Sequence, residues 1–367
     1  MKIFSQQRGV SVVELLVSLL ISMAVIAGAV QVVGSTKKNY LDQDEVSFIQ
    51  TNARFALDII TKDIRMAGYK GCAVEGSAQV ANSIEIDANG FISMHGLTGY
   101  EGETNSNTFP ADFKDVAWPG TDAILIRKGG AESGLAISSH NPASATIHLF
   151  TDHEYDPGTV LMIADSSCRN VGLFQVSGPN SVPANHINHN TGATVNNCTK
   201  IIKGDFECDP SCKAVECGGY GTATGEYGPG SKIMEFSSHA YFISESSVIS
   251  GMPALKRQVL NTDGLPTTSS EEIAIGVEDL EILYGVDTDG DGDVDQYRKA
   301  SQMDLDGGGT TTDEEWDQVL AVKLSLVFRS QYEVMPEKQK KTIAGTEYND
   351  RYMRQVVNST VRIRNRG

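Results

Sequence analysis

The sequence predicts an α+β protein: a long N-terminal helix, membrane-spanning over its first half, packed on a strand-rich antiparallel globular domain with a Cys-rich insertion. Three observations predict it. Val10–Gly34 is a long apolar run with a single charge, Glu14. Beyond Ser35, apolar residues recur every three or four positions. After Gly71, short β-prone runs alternate with clusters of Gly, Asn, Pro and Ser.

Composition narrows the function classes. The 367 residues carry 30 Lys+Arg against 47 Asp+Glu, a formal net charge of -17. A nucleic-acid binder needs a basic stripe to displace counterions from phosphates, so no nucleic-acid partner is predicted. With 40% hydrophobic and 21% charged residues the chain is not of disordered composition, and its 36 glycines suit many turns.

The apolar segment spans residues 10–34. At 1.5 Å per helical residue it covers about 37 Å, more than the roughly 30 Å hydrocarbon core of a bilayer. Lys2 and Arg8 precede it, which favours a cytoplasmic N-terminus. A cleaved secretory signal has a shorter apolar core followed by an A-x-A-like site, so this segment is expected to be retained. Glu14 is costly at that depth unless paired, and such residues point to function. A cut between Gly9 and Val10 would free a positive α-amine four residues from Glu14, able to neutralise it on the same or a neighbouring helix.

Residues 35–68 continue the helix in amphipathic form. Val46, Ile49, Ala53, Ala56, Ile60, Ile64 and Ala67 mark the face expected to pack on the body, and Gly68 is the expected stop. Residues 69–367 form the β-rich body. Its predicted strands are Ala123–Lys128, Ala145–Phe150, Thr159–Ile163, Ile233–Phe236, Ala240–Ser244, Ile273–Val277, Leu280–Tyr284, Val322–Arg329 and Thr360–Arg364. The stretch from about 166 to 230, rich in Gly, Asn and Cys, is expected to be an irregular insertion.

Cys72, Cys168, Cys198, Cys208, Cys212 and Cys217 are even in number, which favours disulfides in an oxidising compartment, with the pairing open among 15 possibilities. The spacing of Cys208, Cys212 and Cys217 lacks a zinc-knuckle CxxC and a nearby His. His186 and His189 lie in an Asn-rich stretch and are expected to be exposed polar surface. Gly307-Gly308-Gly309 lacks the Lys and Ser/Thr of a phosphate-binding loop, and no GxSxG or HExxH motif occurs. No enzymatic activity is expected.

The sharpest chemical signal is acidic, within residues 287–315. Asp287, Asp289, Asp291 and Asp295 occupy positions 1, 3, 5 and 9 of an EF-hand-like loop, with Asp293 between them and Gly292 at position 6. Arg298 stands where the bidentate Glu belongs. A second loop offers Asp304, Asp306 and, at its position 12, Glu315. Each loop alone is incomplete, so one can complete the other. From Glu271 to Asp317 there are sixteen acids and two bases, a repulsion that a bound divalent cation relieves. Structural Ca²⁺ is therefore expected; a solvated acidic turn has the same residues.

Arg8-Gly9-Val10-Ser11-Val12-Val13-Glu14-Leu15-Leu16 resembles the class III leader of type IV pilins and pseudopilins, which carry Phe where this chain has Val10. The resemblance implies a leader of residues 1–9 removed after Gly9 by a prepilin peptidase, N-methylation of Val10, and Glu14 as the fifth mature residue. Arg351-Tyr352-Met353-Arg354, Ser359-Thr360-Val361-Arg362-Ile363-Arg364-Asn365 and Tyr284-Gly285-Val286-Asp287 resemble the PilW-type minor pilins. That likeness implies a pilin helix, inner-membrane anchoring with a periplasmic domain, and later a place at the pilus tip. It also implies assembly with other minor pilins and the major pilin through the helix, priming and capping of the filament, and a tip adhesin as a further candidate partner. Two alternatives stay open: a type II secretion pseudopilin, and a membrane-anchored, Ca²⁺-dependent binding protein that never enters a filament.

Overall fold

The computed structural model describes residues 9–366 except 75, 86–89, 103–108, 110–115, 193, 209–211, 213–224, 261–269, 310 and 344. Residues 1–8 of the expected leader and Cys217 thus lie outside the described residues.

One helix, α1 (Val12–Arg65), runs unbroken through both predicted halves. Its buried face consists of Glu45, Ile49, Ala53, Ala56, Ile60, Asp63 and Ile64, spaced by three and four residues. Val46, expected on that face, is only half-buried, because Glu45 takes the inward position. The Glu45 carboxylate accepts the Gln331 amide at 2.6 Å, and the Asn52 side chain accepts that of Ile275 at 3.1 Å. These polar groups fix the helix against strand backbone rather than merely greasing it. After Met66 the chain turns through Gly68 (φ 69°), whose N–H donates to Arg127 O.

Eighteen strands are present among the described residues. The large sheet has the order β12 (Glu271–Ile275), β11 (Pro253–Val259), β10 (Lys232–Glu245), β6 (Val160–Ala164), β7 (Asn170–Gln175), β1 (Gln79–Asn82), β9 (Phe206–Glu207). β3 (Ala123–Glu132) also pairs with β10, and β2 (Leu97–Tyr100) with β3. A second sheet has the order β14 (Gln296–Arg298), β13 (Val277–Val286), β15 (Val319–Glu333), β18 (Tyr352–Arg362). β4 (Ile137–Asn141), β5 (Thr146–His153) and β8 (Ala184–Asn188) form a small third sheet, and β16 (Gln339–Ile343) with β17 (Thr346–Asp350) a hairpin.

The α+β class is as expected, with local differences. β1 runs parallel to β7 and β9, so the large sheet is mixed. Parallel partners need a long crossover, and residues 83–169 between them supply one. The stretch 166–230 is not simply irregular, since it contributes β7, β8 and β9. β7 is buried over Val171–Gln175, so it shows a short apolar run without the alternation that marks a half-exposed strand. A Cβ on its Gly172 would meet Ile202 O at 2.2 Å, so only glycine admits that close approach. Ile233–Phe236 and Ala240–Ser244 are one strand, β10, joined through Ser237-Ser238-His239. The last strand begins at Tyr352, well before the expected Thr360.

The largest core lies where α1 meets both sheets: Ile49, Ala53, Ile60 and Ile64 pack with Tyr241 and Ile243 of β10, Leu280 and Ile282 of β13, and Leu324 and Phe328 of β15. Burying each such aliphatic or aromatic side chain contributes roughly 1.5–3 kcal/mol. A Cys72–Cys168 disulfide ties the segment after α1 to the β6–β7 turn, and Cys198 pairs with Cys212. Cys208 is disulfide-bonded as well.

Candidate functional site

Two features stand apart from the packed body: the bare half of α1 and the acidic loops of the second sheet. Gly9 and Val10 are exposed, with nothing within 4 Å of a Cβ built on Gly9, so the expected cleavage bond is accessible. Glu14 falls in the first turn of α1, where a carboxylate complements the helix dipole. It makes no ion pair among the described residues. None of the apolar half is covered by the body; Val12, Leu20 and Val33 are all more than 60% exposed. Ser18 and Ser22 donate back to Leu15 O and Ser18 O, so their hydroxyls need no water. A helix apolar on all sides and uncovered demands lipid or other helices around it.

The first acidic loop closes the β13–β14 hairpin. Asp287 accepts the amides of Gly290 and Gly292 at 2.7 and 2.8 Å, and the Gly292 amide leads in holding its carboxyl below the ordinary range. Asp295 accepts the Thr288 amide and hydroxyl, which lowers it likewise. Asp289 accepts the Asp291 amide, but the like charges of Asp291, Asp295 and Asp287 outweigh that bond and push it up. The second loop joins a 3₁₀ turn (Ala300–Gln302) to a short helix α2 (Asp313–Asp317). Glu315 reaches back to the amides of Thr312, Leu305 and Asp306, closing the loop and capping α2. Asp304 Oδ2 accepts the Gly309 amide, while its Oδ1 is buried without a hydrogen-bond partner among the described residues.

These carboxylates gather as two groups, each within its own loop: Asp287, Asp289 and Asp295, and Asp304, Asp306 and Glu315, with ligand atoms of each group within 4.8 Å of one another. Asp291 and Asp293 belong to neither group: both are exposed, Asp291 accepts the Asp293 amide at 2.8 Å, and Asp293 lies 3.9 Å from Arg362. The loops thus do not merge into one set. All donors are carboxylate oxygens, the chemistry of a hard cation such as Ca²⁺. The orphaned Asp304 oxygen leaves one buried acceptor for such an ion in the second group.

Several buried polar groups escaped the sequence reading. Asp63 on α1 meets Lys128, His239 and Tyr241. His189, expected at the surface, is fully buried, and its Nε2 lies 3.0 Å from His140 Nε2. His140 Nδ1 accepts the Tyr227 amide, so its Nε2 carries the proton and donates to His189. Burial pushes these rings down, His140 to about 4 and His189 to about 3. His186 remains half-exposed. No spacing signal announced the pair, because β4 and the segment after β8 are brought together only by pairing through β5.

Residues 240–365 match the family model of PilW, the type IV pilus-assembly protein W. What is similar to PilW is this segment, about a third of the chain. No curated protein and no solved structure matches the chain. The matching segment takes in the second half of β10, all of β11–β18 and both acidic loops, so the sheet that docks α1 and the candidate ligands lie within it. The match supports involvement of the chain in type IV pilus assembly. The helix able to cross a membrane precedes the PilW segment.

Proposed function

We propose that this chain is a minor pilin that assembles with other minor pilins to prime and cap a type IV pilus. The carrying observation is the uncovered apolar half of α1 with Glu14 as its sole charge, joined rigidly to a PilW-family body. In this reading a prepilin peptidase cuts after Gly9, and Val10 becomes the methylated first residue. The helix then waits in the inner membrane with the body in the periplasm. Glu14 docks it against the positive terminus of a neighbouring helix, where burial favours a matched pair over a lone carboxylate. The PilW match favours the pilus over a type II secretion pseudopilin. The bulk of the body suits the tip, where it crowds no repeated neighbour.

Within the same proposal, Ca²⁺ is held by Asp304, Asp306 and Glu315 and by Asp287, Asp289 and Asp295. The ion supplies positive charge to loops that otherwise repel, and stiffens them. The residues themselves preform the loops through the amide bonds of Asp287 and Glu315. A membrane-anchored Ca²⁺-dependent binder that stays outside the filament is the competing reading.

Intact-mass measurement of the N-terminus, in cells with and without the prepilin peptidase, tests the proposal. A mature chain starting at methylated Val10 only when the peptidase is present is expected. An uncut start in both strains would overturn the pilin reading and leave the anchored binder.

A further inference from the structure

We propose that the junction of α1 with the C-terminal sheet is a seat for the headgroup of an anionic phospholipid. The proposal rests on the reading of the apolar half of α1 as membrane-spanning. A cavity of about 670 Å³ lies between Lys37, Lys38 and Leu41 of α1 and Tyr332, Val334 and Arg351 of the body. Its depth in the bilayer follows from the helix. The apolar run Val12–Gly34 has a length of roughly 35 Å at 1.5 Å per residue, so it fills the hydrocarbon core. Gly34 lines the cavity, and Lys37 stands about 5 Å beyond it along the axis, at the level of the headgroups. Whatever body residues face that turn of the helix are held at the same level.

Chemistry at this level suits a lipid phosphate. Among the described residues none of Lys37, Lys38 and Arg351 forms an ion pair, although the chain as a whole carries -17. The Arg351 Nε donates to Met335 O at 2.7 Å, which orients the guanidinium and leaves its other N–H groups for a ligand. Two carboxylates, Asp42 and Glu333, also line the cavity and limit the positive excess. Leu41 and Val334 supply apolar wall for the upper acyl chain. Tyr332 and Tyr40 are 60% and 69% exposed, as aromatic residues of an interfacial belt are. The three cations come from both ends of the sequence, so the seat exists only when α1 and the body are docked. A lipid bound there holds the periplasmic body down on the membrane until the helix leaves for the filament.

The test reconstitutes the full chain in bilayers of mixed phosphatidylglycerol and phosphatidylcholine, with one or the other brominated near the headgroup. Tryptophan emission is read from Tyr332→Trp, and from Leu20→Trp as the control for insertion, each against the parent with Trp118 and Trp316. The expected result is stronger quenching of the position-332 probe by brominated phosphatidylglycerol than by brominated phosphatidylcholine. That preference should fall about fivefold for each cation removed in Lys37→Gln, Lys38→Gln and Arg351→Gln, since an interfacial basic residue contributes ~1 kcal/mol. Millimolar inorganic phosphate should leave the preference in place; its loss would assign the seat to free phosphate and overturn the lipid proposal. Quenching at 20 without any at 332, or equal quenching by the two lipids, would overturn it while sparing the spanning helix. Absence of quenching at both positions would sink the spanning reading on which it rests.

Discussion

The Asp63 carboxylate on α1 lies 2.6 Å from His239 Nδ1 on β10, and the Tyr241 hydroxyl two residues along the same strand donates to the same oxygen at 2.5 Å. Lys128 of β3 pairs with the other oxygen. The polar interruption that divides β10 in the sequence is therefore the point where the helix is bolted to the sheet. Burial alone would raise the Asp63 carboxyl; the bonds from His239, Lys128 and Tyr241 outweigh it and hold the group far below its ordinary range.

Replacing Asp63 by Ala should cost about 3–5 kcal/mol, since it strands buried cations rather than deleting the pair as a whole. Thermal or denaturant unfolding of the full chain in detergent measures it. For a carboxyl held low in the folded state, the stabilisation is complete above the ordinary Asp value of 3.8 and is lost as pH falls below it. The Ala variant should therefore approach the parent in acid, and an undiminished gap at pH 2 would contradict this account.

The two described disulfide pairings should differ in weight. Cys72–Cys168 spans 96 residues and Cys198–Cys212 only 14. Loop-closure entropy gives about 4.7 kcal/mol for a loop near 100 residues and about 3 for one near 15. Paired Ser substitutions should show the larger drop in denaturation midpoint for the Cys72–Cys168 variant. Equal losses would mean that the unfolded chain is already constrained near the end of α1.

The buried His140–His189 bond should make the small third sheet acid-sensitive. Both rings are held below the ordinary His value of 6.5, so their neutral forms stabilise the fold fully above that pH. Stability is lost as pH falls from 6.5 toward 4, by roughly 3 kcal/mol for His140 if its full shift is realised. Amide exchange in β4, β5 and β8, corrected for intrinsic rates, should speed up over that window while β13 and β15 hold. His189→Phe should flatten the response.

If the acidic loops hold Ca²⁺, millimolar Ca²⁺ should raise the melting temperature of the parent chain. A site saturated at a hundred times its dissociation constant contributes about 2.7 kcal/mol. Asp304→Asn should remove the share of the second loop, because its buried oxygen has no other partner among the described residues. Asp291→Asn should change the response less than Asp304→Asn, since its carboxylate lies outside both groups and accepts the Asp293 amide. Glu315→Ala should destabilise even without the ion, by about 1 kcal/mol through the lost cap of α2.

Local pattern determined a good deal by itself. Continuous apolar character marks the uncovered half of α1, long enough to cross a membrane, and a period near 3.6 marks its buried face from Ile49 to Ile64. Short β-branched runs located eight of the eighteen described strands, and the Asp-Gly repeats located both loops, because each of these is written in neighbours along the chain. Sequence likeness at the C-terminal end already pointed to the family that residues 240–365 match. What tertiary structure alone decided involves partners distant in sequence. The spacing suggested one shared acidic site, but the loops close on themselves because Glu315 is drawn back to Thr312 and Leu305. Glu45 and Asp63 look like solvent-facing charges on an amphipathic helix; Gln331 and His239, far along the chain, turn them into buried anchors. His189 sits in a polar stretch yet is fully buried, because β-pairing sets it against His140. A charged or polar side chain is buried only where folding brings its partner, and that partner is not encoded nearby.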